Sequence, residues 1–246
     1  MKRIVTALAA SLLATGLLAA EPAAEPAPTA GLREFQATFS VKFRGMNAGQ
    51  SQLQLEKLDG DRWRYSSRSQ AKGLFRLAVH GEPTQISVLQ MQDGAVRPLE
   101  FTSAIGANDD DRDQSMKFDW QAGRVTGTAE GKPVDIALQP GMHDAASVQV
   151  AMMLELLAGR TPERFQMIDK TQVKDYIYTR EGEETLDTAL GKQQTVIFRS
   201  ARPDSTRGTL FWCAPGLGFL PVKVERRNGN KVEWSMTLNA ATFGTS

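Results

Sequence analysis

The sequence predicts a mainly β fold, in which a curved antiparallel sheet or an open β-barrel is wrapped around one buried α-helix. Three observations support this prediction. Apolar residues recur at every second position in many short segments, turn-forming dipeptides separate those segments, and one apolar stretch at residues 144–159 breaks the alternation. Successive side chains of a strand point to opposite faces, so the alternation indicates strands with one buried and one solvated face.

The alternation is clearest at the start of the predicted domain. Apolar and polar side chains take turns there: Phe35, Ala37, Phe39, Val41 and Phe43 alternate with Gln36, Thr38, Ser40 and Lys42. The same pattern predicts further strands around Leu53 and Leu55, Trp63 and Tyr65, Leu77 and Val79, Ile86 and Val88, Leu99 and Phe101, Met116 and Phe118, Val134 and Ile136, Val196 and Phe198, Thr209 and Phe211, Val222 and Val224, and Trp234 and Met236.

Hairpin turns are predicted where glycine follows a short polar residue between two such segments. Asp59-Gly60, Asp93-Gly94 and Asn228-Gly229 all have this form. These dipeptides readily adopt the positive φ angles of tight hairpin turns. The strands are therefore expected to run antiparallel to their neighbours in sequence.

One helix is predicted over residues 144–159. Asp144 is a suitable N-cap because its carboxylate can accept a hydrogen bond from the Ser147 backbone N–H, and Gly159 is a suitable residue just past the C-terminus. The residues between them include no glycine or proline and are apolar on nearly every side. A helix of this composition is expected to be buried.

The N-terminal residues predict export. Lys2 and Arg3 precede an apolar run that ends at the small residues Ala19 and Ala20, which is the pattern of a secretory signal peptide over residues 1–20. A Pro/Ala-rich flexible leader follows at residues 21–31, and a single β-rich domain is predicted over residues 32–246. We therefore expect a periplasmic protein without a transmembrane segment after signal cleavage.

Charge and cysteine content exclude two classes of protein. The chain has 29 basic and 28 acidic residues, and removing Lys2 and Arg3 leaves 27 basic residues, so there is no positive excess for nucleic-acid binding. The single cysteine, Cys213, cannot form an internal disulfide and lies in an apolar run typical of a buried, unreactive thiol.

No catalytic or metal site is predicted. His143 next to Asp144 could act as a general base, but Asp144 is better explained as the helix cap. Asp109, Asp111 and Asp113 have the spacing of a calcium loop yet lack its glycine and its bidentate glutamate. Sequence signatures of serine hydrolases, phosphate-binding loops and zinc sites are absent, so we expect a non-enzymatic protein with no cofactor.

Three stretches together resemble the family of exported bacterial proteins called domain of unknown function 3108. They are residues 39–49 with 67–74 downstream, residues 144–147 at the start of the helix, and residues 212–225 near the end. The resemblance implies export and a β fold. It implies no activity, because the family has no established one. The implied architecture is similar to the open barrels of periplasmic lipoprotein carriers, where a curved sheet and helices enclose an apolar cavity.

The predicted function is the binding or carrying of a lipid, an acyl chain or another apolar envelope ligand. The candidate ligand-binding residues are Met152, Met153 and Leu156 on the helix, because methionine suits adaptable apolar surfaces, and Trp120 on a strand. The alternative is a structural or interaction protein of the cell envelope with a filled core. An enzyme is the third hypothesis.

Overall fold

The computed structural model describes residues 31–77, 81–106 and 110–244. The predicted signal peptide at residues 1–20 and nearly all of the leader lie outside the described residues, as do Val79, His80 and Asp109. The export prediction and the boundaries of the domain therefore stay predictions. Within the described residues, the chain forms fifteen strands and one α-helix.

The strands follow one another along the chain with short connections. Their bounds are β1 (Phe35–Phe43), β2 (Met46–Lys57), β3 (Arg62–Ala71), β4 (Thr84–Gln92), β5 (Ala95–Ala104), β6 (Gln114–Asp119), β7 (Arg124–Ala129), β8 (Lys132–Ala137), β9 (Met142–His143), β10 (Arg164–Asp169), β11 (Gln172–Thr188), β12 (Gly191–Ala201), β13 (Arg207–Ala214), β14 (Leu220–Asn228) and β15 (Lys231–Phe243). Helix α1 (Ser147–Leu157) separates β9 from β10.

All fifteen strands belong to one sheet, and the prediction of a mainly β fold is confirmed. The order is β8-β7-β6-β5-β4-β3-β2-β1-β15-β14-β13-β12-β11-β10-β9, so nearly every strand pairs with its neighbours in sequence. The first and last strands also pair with each other, with Phe35 opposite Phe243. The ladders are antiparallel except for the parallel pair β9 and β10, which are joined through α1.

The sheet is open at one place. Within the described residues, β8 and β9 are its two edge strands and do not pair with each other. Residues 138–141 connect them, and the Leu138 N–H donates to the Gly123 carbonyl at 2.9 Å. We call the gap between β8 and β9 the seam.

The core follows the predicted alternation. In β1, Phe35, Ala37 and Phe39 are buried, whereas Phe43 at the hairpin end is 39 % exposed. The larger core cluster joins residues from most strands with the α1 residues Val150 and Met153. Helix α1 itself packs on β5 and β4.

Helix α1 begins at Ser147, three residues after the predicted N-cap Asp144, but both predicted capping residues bond to its ends. Asp144 Oδ1 accepts hydrogen bonds from the backbone N–H groups of Ser147 at 2.7 Å and Ala146 at 2.8 Å. At the other end Gly159 has a φ of 70° and donates to the Leu156 carbonyl, while Arg160 donates to the Glu155 carbonyl. This pair of bonds is a Schellman motif, which needs the positive φ that glycine adopts at little cost.

The predicted strand at Leu77 is wrong. Residues Gly73–Leu77 form a short 3₁₀ helix, in which Leu74 is 83 % and Leu77 is 75 % exposed. Gly73, with a φ of 56°, ends the extended backbone that continues from β3. Leu74 and Leu77 are apolar but exposed, so their spacing does not indicate a buried face of a strand.

None of the helices in the described ranges is both long enough and apolar enough to cross a bilayer.

Candidate ligand-binding site

A cavity of about 510 Å³ lies at the seam. Its wall combines the start of β5, the turn between β6 and β7, the connection from β8 to β9, one face of α1 and the start of β10. The lining residues are Ala95, Val96, Arg97, Trp120, Gly123, Leu138, Pro140, Gly141, His143, Ala151, Leu154, Glu155, Arg164 and Phe165. Pro140, Gly141 and Arg164 are exposed, so the cavity opens to solvent on that side.

Helix α1 contributes one face to this wall. Ala151, Leu154 and Glu155 line the cavity, and their spacing of three and four residues places them on one side of a helix. Leu154 is only partly buried, although it lies in the middle of an apolar helix. The uncovered part of the Leu154 side chain borders the cavity.

The four candidate residues of the sequence analysis divide between the cavity and the core. Trp120 lines the cavity, but from the turn after β6 and not from a strand as predicted. Met152 and Leu156 instead pack in a second core cluster with Tyr178, and Met153 packs in the larger core. The role of these four residues in ligand binding stays a prediction.

His143 is the buried polar residue of the cavity wall. It lies on β9, is 4 % exposed, and its Nδ1 atom has no hydrogen-bond partner. Its ring meets Phe165 edge-on, with centroids 5.3 Å apart. Burial lowers the pKa of His143 to about 4, against the opposing charge of Glu155. The imidazole is therefore neutral near pH 7 and offers one nitrogen for a further hydrogen bond.

Charged and aromatic side chains surround the opening. The Trp120 Nε1–H donates to the Pro98 carbonyl at 2.7 Å, and the Arg97 guanidinium lies 5.3 Å from the centre of the Trp120 ring. Arg164 pairs with Asp175 at 2.7 Å and holds the pKa of that carboxyl below its usual range. The opening is thus polar, while the helix side of the cavity combines the apolar Ala151 and Leu154 with the acidic Glu155.

Asp144 fixes α1 to the sheet. Its side chain is fully buried, and Oδ2 accepts a hydrogen bond from Ser87 Oγ on β4 at 2.7 Å. Burial raises the pKa of Asp144, while hydrogen bonds from Ser147, Ser87 and Ala146 act in the opposite direction. Because the unpartnered His143 Nδ1 makes no bond to this carboxylate, the two residues do not form a histidine–carboxylate pair through that atom.

Other reactive groups are few. Cys213 is buried, as predicted, and burial raises the pKa of its thiol. Across the described ranges, no three His, Cys, Asp or Glu side chains are grouped so that they could hold a metal ion. Asp111 and Asp113 of the calcium-like spacing are described, whereas Asp109 is not.

Sequence reasoning missed most of the cavity wall. The alternation of Val134, Ile136 and Leu138 predicts a strand and not a cavity wall, and Pro140 and Gly141 belong to no periodic pattern. The short segment between β8 and α1 nevertheless contains an indication of the site. That segment carries His143 next to the predicted cap, where a polar ring must be buried.

Comparisons with known proteins identify a family. The family model described as "Protein of unknown function (DUF3108)" matches residues 38–232. This range contains all three motifs on which the resemblance was based, and the predicted family is confirmed. No curated protein matches the chain.

A solved structure from another family of unknown function has a similar fold. The crystal structure of a beta-barrel-like protein of domain of unknown function DUF1849 from Brucella abortus has a TM-score of 0.51 at 9 % identity, covering 88 % of this chain and 100 % of that one. A chain of the Pseudomonas aeruginosa MucA/MucB complex has a TM-score of 0.40 at 13 % identity, over 87 % of this chain and 53 % of that one.

A domain from Vibrio parahaemolyticus with a suggested role in outer membrane lipoprotein sorting matches with a TM-score of 0.25 at 11 % identity, covering 87 % of this chain and 86 % of that domain. At these identities the likeness concerns the fold alone.

Proposed function

The chain belongs to the DUF3108 family of proteins of unknown function, and from the geometry of the seam we propose that it binds an amphipathic ligand with an acyl chain. The protein acts in this proposal as a non-enzymatic component of the cell envelope, exported by the signal sequence at residues 1–20. The sheet curves around α1 and leaves the cavity beside it. The single observation that carries the proposal is this cavity of about 510 Å³, lined on the helix side by the apolar Ala151 and Leu154 beside the acidic Glu155, with a buried, unpartnered His143.

The size and lining of the cavity suit a small apolar ligand. Sites for small molecules usually have volumes of about 300–1,000 Å³ and walls that are mainly apolar with a few polar groups. Val96, Leu154 and Phe165 supply apolar surface here, and Trp120 adds an aromatic one. An acyl chain placed against them would remove apolar surface from water, which favours binding.

The polar groups explain why the ligand would be amphipathic. His143 is buried and neutral, and its Nδ1 is inaccessible from the cavity, so a rotation of the ring would let it exchange one hydrogen bond with a hydroxyl, ester or carboxyl group. Arg97 and Arg164 lie at the opening, where a negatively charged head group would meet them while still in contact with water. A purely apolar ligand would leave the His143 Nδ1 without a partner.

The alternative is a scaffold protein whose interior is filled. The close packing of Met152, Met153 and Leu156 favours this alternative on one side of α1. The partly buried Leu154 on the other side favours the ligand-binding proposal, because a filled core would cover it. The two hypotheses differ in what occupies the space beside Leu154.

A substitution that fills the cavity tests the proposal. We expect the delipidated mature protein to bind a fluorescent fatty acid saturably and to melt at a higher temperature with it, since a ligand of the native state stabilises that state. Leu154→Trp should weaken this binding at least tenfold. Leu157→Trp is the matched control, because Leu157 lies on the same helix outside the cavity wall, and it should bind like the wild type.

Two results would overturn the proposal. Absence of saturable binding across fatty acids and phospholipids, with no lipid co-purifying from the native host by mass spectrometry, would favour the scaffold. Equal loss of binding in Leu154→Trp and Leu157→Trp, when both variants are folded, would place the ligand elsewhere.

A further inference from the structure

An exposed apolar surface lies at one end of the sheet, where the hairpin between β1 and β2 meets the 3₁₀ segment Gly73–Leu77. Its members are Phe43, Met46, Leu74 and Leu77, and we call it the apolar tip. They are 39 %, 58 %, 83 % and 75 % exposed, respectively. Only two other large hydrophobic residues of the described ranges, Ile177 and Leu190, are exposed to a similar degree as Phe43. The exposed apolar surface is therefore concentrated in one place.

The two segments of the tip are held together. The Lys72 N–H donates to the Ala48 carbonyl at 2.8 Å, and the rings of Phe43 and Phe75 meet edge-on with centroids 6.1 Å apart. Leu74 and Leu77 project from this base into solvent. Contiguous exposed apolar surface of this kind usually marks a binding site.

The charges around the tip have one sign. Lys42, Arg44, Lys72 and Arg76 are all exposed, and residues 41–48 and 69–77 include no Asp or Glu. The neighbouring acid Glu82 is accounted for by its ion pair with Arg68 at 3.7 Å. Glu233, next to Arg44 through the backbone, has its side chain paired with Arg207 at 3.1 Å. The tip thus carries four cations among its protruding apolar side chains.

We infer that the apolar tip docks on a lipid bilayer with anionic head groups. Leucine, methionine and phenylalanine side chains that protrude from a rigid base can enter the interface between head groups and acyl chains, while lysine and arginine remain at the level of the phosphates. Each cation near an anionic membrane surface strengthens binding about fivefold. A protein partner would need an acidic and an apolar surface that match the tip at one place. An anionic bilayer supplies acidic head groups and apolar acyl chains over its whole surface.

The tip is separate from the cavity. Strand β4 begins at Thr84, which pairs with Arg68 near the tip, and ends at Gln92, which pairs with Ala95 in the cavity wall. Eight residue steps along a strand span about 26 Å. Docking of the tip therefore leaves the opening of the cavity away from the membrane surface, and the two proposals can fail independently.

Sedimentation with vesicles tests the inference. We expect the mature protein to bind vesicles of phosphatidylcholine and phosphatidylglycerol, to bind phosphatidylcholine vesicles much more weakly, and to be released by salt. Leu74→Asn/Leu77→Asn should reduce binding about tenfold or more, because two exposed leucines no longer enter the interface. Ile177→Asn/Leu190→Asn is the matched control and should bind like the wild type.

The charge contribution has its own pair of variants. Lys72→Gln/Arg76→Gln should reduce binding to anionic vesicles about 25-fold, at two cations of about fivefold each. The control Arg62→Gln/Lys132→Gln removes the same charge elsewhere on the exposed surface and should have a smaller effect. Fatty-acid binding in the cavity should be unchanged in every tip variant.

The inference is overturned if the wild type does not bind anionic vesicles, or if the tip variants bind them as the wild type does. It is also overturned if the tip variants instead convert a dimer to a monomer in solution, since a second copy would then cover the tip.

Discussion

Both faces of helix α1 are mainly apolar in sequence, with Glu155 the one charged residue of the cavity face, but they have different surroundings. On one face Met152 and Leu156 are buried against Tyr178 and Phe198. On the other face Ala151 and Leu154 border the cavity at the seam, and Leu154 keeps part of its surface uncovered. The difference shows that an apolar helix can be a structural element on one side and a binding surface on the other.

The break in the sheet produces this difference. Strands β10 to β13 supply the residues that cover the packed face, and each of these strands pairs with the next one in the sheet. The cavity face lies next to the seam, where β8 and β9 do not pair and a short connection replaces a strand. The following variants separate the contributions of the two faces and of the residues that hold α1 between them.

The largest effect is expected at Asp144, which positions both faces. Asp144→Ala should lower the free energy of unfolding by about 4 kcal/mol, because the buried N–H groups of Ala146 and Ser147 and the hydroxyl of Ser87 lose their acceptor. A cap on an exposed helix would contribute only about 1 kcal/mol. Denaturant unfolding measures the difference.

Asp144→Asn is the control for that experiment. Its Oδ1 can still accept from both backbone groups, its Nδ2–H can donate to the Ser87 hydroxyl in place of the bond that Oδ2 accepts, and it removes a carboxylate whose charged form is disfavoured by burial, so we expect a loss below about 1 kcal/mol. A loss as large as that of Asp144→Ala would mean that the negative charge itself stabilises the fold.

The two faces can be compared directly by truncation. Met152→Ala should cost about 3 kcal/mol, because it leaves a void in a filled cluster. Leu154→Ala should cost about 1 kcal/mol, since that side chain already borders empty space and loses fewer contacts. Equal losses in thermal or denaturant unfolding would show that the space beside Leu154 is filled in solution.

The pH dependence of stability reports on the environment of His143. Its folded pKa of about 4 lies below the ordinary value of 6.5, so the unfolded chain binds more protons between these values and stability rises with pH. From pH 4.5 to 6.5 this residue should contribute about 2 kcal/mol.

Comparison of the wild type with His143→Gln separates this contribution from that of Asp144. The raised pKa of Asp144 makes stability fall with rising pH, and this effect is present in the wild type and in the variant. The difference in the free energy of unfolding between the two proteins, plotted against pH, should therefore have the slope expected for His143 alone. A His143 that titrates near pH 6.5 by NMR would contradict its burial.

The smallest effect is expected at the exposed end of the helix. Gly159→Ala should cost about 1 kcal/mol, because alanine adopts the φ of 70° at some cost and the two Schellman bonds are affected. Chemical denaturation of this variant, with ligand binding unchanged, would show that the C-terminus of α1 is locally determined. A loss as large as that of Asp144→Ala would show that this end also carries tertiary contacts.

Local patterns in the sequence predict the strands and the helix ends well. Alternation in β1, the dipeptide Asp93-Gly94 with φ values of 53° and 71°, and the Asp144 cap all depend on residues close together in the chain. The hairpin at Asn228-Gly229 is also present, with Gly229 providing the positive φ.

The cavity could not be predicted in the same way. Helix α1 is apolar on nearly every side, so its periodicity does not indicate which face meets the sheet and which meets the seam. The wall also joins Arg97, Trp120, His143 and Phe165 from four separate segments. Only the pairing of the strands brings these residues together.

Quenching of Trp120 fluorescence by a brominated fatty acid tests the central claim most directly. Bromine quenches tryptophan at contact, and Trp120 lines the cavity whereas Trp63, Trp212 and Trp234 do not. We expect saturable quenching in the wild type and in Trp234→Phe, and its loss in Trp120→Phe. Quenching that persists in Trp120→Phe, or that is absent in the wild type, would contradict an acyl chain bound at the seam.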